Sequence, residues 1–110
     1  MLDQITTSPS AIDEVVRVLR MLADPTRLRV LGMLRGGEMN VTTMCKKLKM
    51  AQPTVSHHLG LLRNVGLVQT RRDGKQIFYT LHEEMVTNVG SQGGMCVDAG
   101  PLHLHLLKNG

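Results

Sequence analysis

The chain has 110 residues, 42% of them hydrophobic and 20% charged, with a formal net charge of +4 and a pI near 9.5. That length holds one domain, the apolar fraction excludes a disordered chain, and no apolar run is long enough to cross a membrane. One Phe, one Tyr and no Trp leave too few rings for a stacking platform on single-stranded nucleic acid.

Residues 1–7 read as a loose tail, and Met1-Leu2-Asp3-Gln4 lacks the charged and apolar stretches of a signal peptide. Cys45 and Cys96 are too few for a disulfide framework, so a cytoplasmic chain with reduced thiols is expected. Ser8-Pro9-Ser10 is a helix start, with a capping Ser and a Pro that the first turn tolerates. Ile12, Val15, Val16, Leu19 and Leu22 follow at helical spacing, which predicts a first helix over 8–22. Its stripe packs either within the chain or on a second copy. The small core of a chain this size favours the second, making Ile12, Val15, Val16 and Leu19 the candidate dimer interface.

Asp24-Pro25 opens a second helix as N-cap and N1, and Gly36-Gly37 stops it. Leu28, Val30, Leu31, Met33 and Leu34 make it apolar over much of its surface, hence central. A third helix begins near Thr42 or Thr43, either a good N-cap, with Val41, Met44, Cys45 and Leu48 on one face. Cys45 reads as a small buried hydrophobe there. A fourth helix runs from about Gln52 to Asn64 around Val55, Leu59 and Leu62. Only Met50-Ala51 separates the two, so residues 42–64 form a helix-turn-helix.

Two β-rich runs then flank Asp73-Gly74, which predicts a hairpin over 67–81 closed by a type I′ turn. Helix-turn-helix plus hairpin is a winged helix. Residues 82–89 read as a short helix, after which Gly90, Gly93, Gly94, Gly100 and Pro101 interrupt any long one. Period-two alternation over 95–107 predicts a second hairpin. The fold class is mainly α with a small β-wing, one winged helix-turn-helix domain over 1–110, with this hairpin in place of a long last helix.

The positive charge is concentrated. Residues 40–80 carry seven basic side chains and one acid, Asp73; the rest of the chain carries six basic and eight acidic. A basic middle on a mildly acidic remainder points to a polyanion partner.

Four motifs in order then resemble the ArsR/SmtB family: Ala23-Asp24-Pro25-Thr26-Arg27-Leu28-Arg29; Gln52-Pro53-Thr54-Val55-Ser56-His57-His58-Leu59; Leu62-Arg63-Asn64-Val65-Gly66-Leu67-Val68; and Arg71-Arg72-Asp73-Gly74-Lys75-Gln76-Ile77-Phe78-Tyr79. The resemblance covers about residues 11–81. It implies a homodimeric repressor that binds double-stranded operator DNA and is released by a metal ion or another small signal. One departure is Ala51, where the family usually has a capping Ser. Another is Glu38-Met39-Asn40-Val41-Thr42, which lacks the cysteines of one family metal site.

On duplex DNA, short polar side chains near the start of the fourth helix read base edges in the major groove. Gln52, Thr54, Ser56 and His57 are of that kind, and Pro53 stiffens the first turn. The resemblance implies DNA contact and local packing for His58, in the same motif, and Arg63 lies at the helix end. Lys46, Lys47, Arg71, Arg72 and Lys75 are candidate phosphate contacts. Helical neighbours point ~100° apart, so His57 and His58 cannot readily share one ion.

In the C-terminal hairpin, His103 and His105 share a face at i and i+2, and Cys96 or Asp98 supplies a third donor for a divalent metal. The alternative is a solvated polar face with Leu inward. No nucleophile–base–acid set, phosphate loop or paired carboxylates occur, so the chain is not read as an enzyme. The competing function is a winged-helix protein-interaction module whose basic face meets an acidic partner.

Overall fold

A computed structural model of the chain describes residues 9–89, 94–99 and 102–106. The loose tail, the Ser8 cap, the 100–101 turn and residue 107 of the expected hairpin lie outside the described residues.

Helix α1 spans Pro9–Leu22 and α2 spans Pro25–Leu34. Asp24 sets the break between them. Its extended backbone leaves Oδ1 free to accept the Arg27 N–H at 3.0 Å, while Pro25 occupies the first turn of α2. Strand β1, Met39–Asn40, leads into α3, Val41–Leu48. The cap of α3 is Asn40 and not Thr42 or Thr43: its side chain accepts the Thr43 N–H at 2.9 Å. Asn40 is extended because it pairs with Phe78 in the sheet, which places an Asx side chain at the turn into the helix. Helix α4 is Gln52–Asn64. Between α3 and α4, Lys49 adopts the left-handed conformation at φ 56° and ends α3.

The wing is β2, Val68–Asp73, against β3, Gln76–Leu81. Asp73 pairs with Gln76, so the loop is Gly74-Lys75 and not Asp73-Gly74. Gly74 has φ +62° and Lys75 does not have positive φ, which is a type II′ turn in place of the expected I′. Strand β1 adds to the far side of β3, giving the order β1-β3-β2.

A second sheet follows: β4, Val86–Val89, β5, Gly94–Ala99, and β6, Leu102–Leu106, all antiparallel in that order. The expected hairpin is β5–β6. The expected short helix over 82–89 is instead a turn and β4. Val86, Thr87 and Val89 are β-branched, and pairing with β5 supplies the ladder that favours strand over helix. Backbone bonds tie this sheet to the rest: His82 N–H to Leu67 O at 3.0 Å, and Asp98 N–H to Met85 O at 2.7 Å.

One core runs through all of this. Val18, Leu31, Met44, Leu59 and Leu67 are fully buried, as is Val97 of β5. The second sheet therefore closes the same core as the helices. In α1 the core-facing residues are Val18 and Leu22, with Val15 packed alongside, while Val16 and Leu19 stay 38% and 40% exposed. The inward edge of the α1 stripe was thus displaced from the expected one. In α2, Val30, Leu31 and Leu34 are buried as expected of a central helix, but Leu28 is 40% exposed. Among the described residues no helix is long and apolar enough to cross a membrane.

Candidate nucleic-acid interface

The start of α4 and the tip of the wing are brought to one place. A cleft of about 200 Å³ is lined by Gln52 on one side and Lys75, Gln76 and Ile77 on the other, with Asn40, Val41 and Thr42 between. Asn40 fixes this junction. While capping α3 it also donates Nδ2–H to Gln76 Oε1 at 2.9 Å, linking helix-turn-helix to wing.

Along α4, Val55, Leu59 and Leu62 are buried, which holds the opposite face outward. Gln52, Pro53, Thr54, Ser56, His57 and Arg63 are exposed there. His58 is half-buried, its ring 5.8 Å from that of His57, and its buried Nδ1 has no hydrogen-bond partner among the described residues. The Arg27 N–H hydrogen bond, with the charge of Arg27 beside it, lowers the Asp24 carboxyl pKa. Among the described residues no side chain caps α4, since Ala51 has none to offer. The N-terminus of α4 also has no acid in its first turn, so its dipole faces outward uncompensated.

The basic candidates divide. Lys46 and Lys47, in the last turn of α3, and Arg72 and Lys75, on the wing, are exposed. Arg71 is exposed as well but engaged: Nε–H donates to Glu38 Oε2 at 2.9 Å, Nη2–H to Glu38 Oε1 at 2.5 Å, and the guanidinium stacks 4.9 Å over the Phe78 ring. The two hydrogen bonds hold Glu38 below the usual carboxylate range and raise Arg71 further. Sequence reasoning missed Glu38, which sits 33 positions from Arg71 and shows no local pattern. It also missed the Asn40 cap, whose signal was present: Asn ranks first among capping residues and precedes the apolar face of α3 directly.

Of the metal candidates, Cys96 and Asp98 are half-buried and His105 is exposed. Cys96 Sγ lies 3.8 Å from Asp98 Oδ1 and 3.9 Å from His105 Nε2. The His103 side chain lies outside the described residues. Among the described residues no group of three or more His, Cys, Asp or Glu side chains is arranged to hold a metal ion. Burial, followed by the charge and hydrogen bond of Asp98, pushes the Cys96 thiol up. Cys45 is half-buried and packs against the core.

The profile of the bacterial regulatory protein arsR family matches residues 24–70. The chain is 50% identical over 72 residues to the HTH-type transcriptional regulator KmtR of Mycobacterium tuberculosis, covering 66% of this chain and 55% of that one. It is 33% identical over 92 residues to the arsenical resistance operon repressor of Staphylococcus xylosus, covering 76% and 88%. Among solved structures, a homodimeric winged helix-turn-helix DNA-binding domain from Mycobacterium bovis superposes with a TM-score of 0.65 at 35% identity, covering 68% of this chain and 69% of that one. The chain thus spans little more than half of the M. tuberculosis relative and most of the S. xylosus one. With the profile matching residues 24–70 and 33% identity to a repressor of which the match covers 88%, the chain belongs to the arsR family of bacterial regulatory proteins.

Proposed function

We propose that the chain is a cytoplasmic transcriptional repressor that binds double-stranded operator DNA as a homodimer and leaves it when a metal ion or other small signal binds. The observation that carries this reading is the shared cleft between Gln52 at the start of α4 and Lys75 at the wing tip. A helix lying in the major groove with a hairpin beside it on the backbone needs that juxtaposition. Gln52, Thr54, Ser56 and His57 face outward to read base edges, and Gln matches adenine N6 and N7 bidentately. Lys46, Lys47, Arg63, Arg72 and Lys75 hold phosphates, which fix register without reading sequence. The uncapped N-terminus of α4 suits a phosphate oxygen as well.

Two copies would meet through α1, where Val16 and Leu19 are large apolar side chains left open side by side, with Ile12 and Val15 on the same flank. The S. xylosus relative is named a repressor and the M. bovis domain a homodimer that binds DNA, which supports the same assignment here.

The test is binding of the purified protein to duplex from its own upstream region and to random duplex of equal length, over a range of salt. A preference for the former is expected, with log K falling at a slope near −5 against log salt when about three of the five cations in each protomer engage phosphate at once, roughly six contacts per dimer. Equal binding to both at physiological salt would overturn the reading and favour a module that meets an acidic protein.

A further inference from the structure

We propose that Asn40 is a positioning residue for duplex DNA: through Gln76 it holds the wing tip so that Lys75 meets phosphate while α4 lies in the groove. The Asn40 side chain carries an acceptor and a donor, and both are used. Oδ1 accepts the Thr43 N–H at 2.9 Å, and Nδ2–H donates to Gln76 Oε1 at 2.9 Å. One end serves the helix-turn-helix and the other the wing, 36 positions away. Ser and Thr cap a helix as well, but their hydroxyl stands one bond short of the reach that joins both partners.

The sheet register gives the reason the tip needs this hold. Strand β1 pairs Met39 with Tyr79 and Asn40 with Phe78, and there it ends. Toward the tip, among the described residues, β3 continues on β2 alone, Ile77 with Arg72 and Gln76 with Asp73. Gln76 lies two residues from Phe78 and shares its face, so it is the diagonal neighbour of Asn40, within reach of a long side chain. The side-chain bond thus carries the β1 edge one step further than its backbone does. Lys75 adjoins Gln76 in the two-residue loop, so holding Gln76 fixes where the Lys75 stem leaves the ribbon. Gln52 lines the other side of the same cleft, and the hold therefore sets the span from base-reading helix to phosphate-holding tip. The Glu38–Arg71 pair acts at the level of Phe78, two residues short of Gln76. The Asn40–Gln76 bond is exposed in the free protein. DNA filling the cleft removes water from around it, and a hydrogen bond gains strength in the drier setting.

The effect on DNA rests on the repressor reading; the hold on the wing does not. The experiment compares the full chain with Asn40→Ser, which keeps the cap and drops the link, with Gln76→Met, which drops the link from the other side at equal length, and with the double variant. Binding to the upstream and random duplexes is measured over a range of salt, and amide hydrogen exchange and unfolding midpoints are measured without DNA. Each single variant is expected to weaken both duplexes by at least about 5-fold, the yield of one hydrogen bond in each of two protomers. The salt slope is expected to become shallower by about 2, as Lys75 of each protomer leaves phosphate. The double variant should lose no more than either single one. Midpoints should stay close to wild type, since Ser still caps α3, while wing amides exchange faster and α4 amides do not change. A purely structural role would lower the midpoint and leave the salt slope alone, which would overturn the proposal. Losses that multiply in the double variant, or a loss in Gln76→Met that Asn40→Ser does not share, would overturn it too, the latter by making Gln76 a DNA contact in its own right. Wild type with no preference for the upstream duplex overturns the repressor reading alone. Faster wing exchange in both variants then still upholds the hold on the wing, and unchanged exchange overturns it.

Discussion

Glu38 and Arg71 are joined by a two-pronged ion pair that ties the loop ahead of β1 to the second half of β2, with the Phe78 ring beneath the guanidinium. The wing is a two-stranded ribbon with one short added strand, and such a ribbon has little stability of its own. The pair fixes the ribbon's angle to the helix-turn-helix, but it also neutralises one of the wing's cations.

Replacing Glu38 with Gln therefore has opposite effects on two properties. Affinity for duplex DNA is expected to rise and the salt slope to steepen by about 2 for the dimer, because Arg71 of each protomer keeps only the looser ion pair with Asp73 at 3.8 Å and turns to phosphate. Thermal stability is expected to fall, with a definite pH dependence. Glu38 is held below its ordinary value of 4.5 by the Arg71 hydrogen bonds and charge. A carboxyl with a depressed folded pKa contributes fully above its unfolded value and loses that contribution as pH falls through the folded one. The gap in melting temperature between wild type and Glu38→Gln should stay constant from neutral pH down to 4.5 and close below it.

Leu19→Glu tests the α1 face. Leu19 is 40% exposed, so the charge costs the isolated fold little, whereas two copies meeting there would bury it. Sedimentation of wild type as a dimer and of Leu19→Glu as a monomer with unchanged circular dichroism is expected. A variant that stays dimeric would place the interface elsewhere.

Ala51→Ser supplies the side-chain acceptor that α4 lacks. An N-cap Ser in place of Ala is worth about 1 kcal/mol. Denaturant unfolding should show that gain as a higher midpoint with an unchanged slope.

Most of the helical scaffold was legible from the chain because its signals are local. Asp24-Pro25 marks the start of α2, and the apolar period of Val55, Leu59 and Leu62 gives α4 its limits. What was not legible depends on pairing across the chain. Asn40 becomes a cap because β1 holds it extended against Phe78, and β4 is a strand because β5 lies beside it. At the candidate interface, the exposure of Gln52 and Lys75 followed from periodicity and turn chemistry. The capture of Arg71 by Glu38 did not, since a partner 33 residues away leaves no trace in spacing.

Val97→Ala asks whether the second sheet belongs to the core. Val97 has zero exposure, and removing two buried carbons costs roughly 1–3 kcal/mol with the cavity included. A single cooperative unfolding transition lowered by that amount is expected. A loss confined to a separate early transition would make the sheet an independent appendage.

The central claim, that α4 reads bases while the wing and α3 hold phosphates, is tested most directly by Gln52→Ala. Its affinities for the upstream duplex and for random duplex are measured side by side with wild type at one salt concentration. Losing one bidentate base contact in each half-site, two per dimer, should weaken the upstream duplex by roughly 30- to 25,000-fold, the equivalent of about 2–6 kcal/mol, and leave random duplex unchanged. An equal loss on both duplexes, or no loss on either, would contradict it.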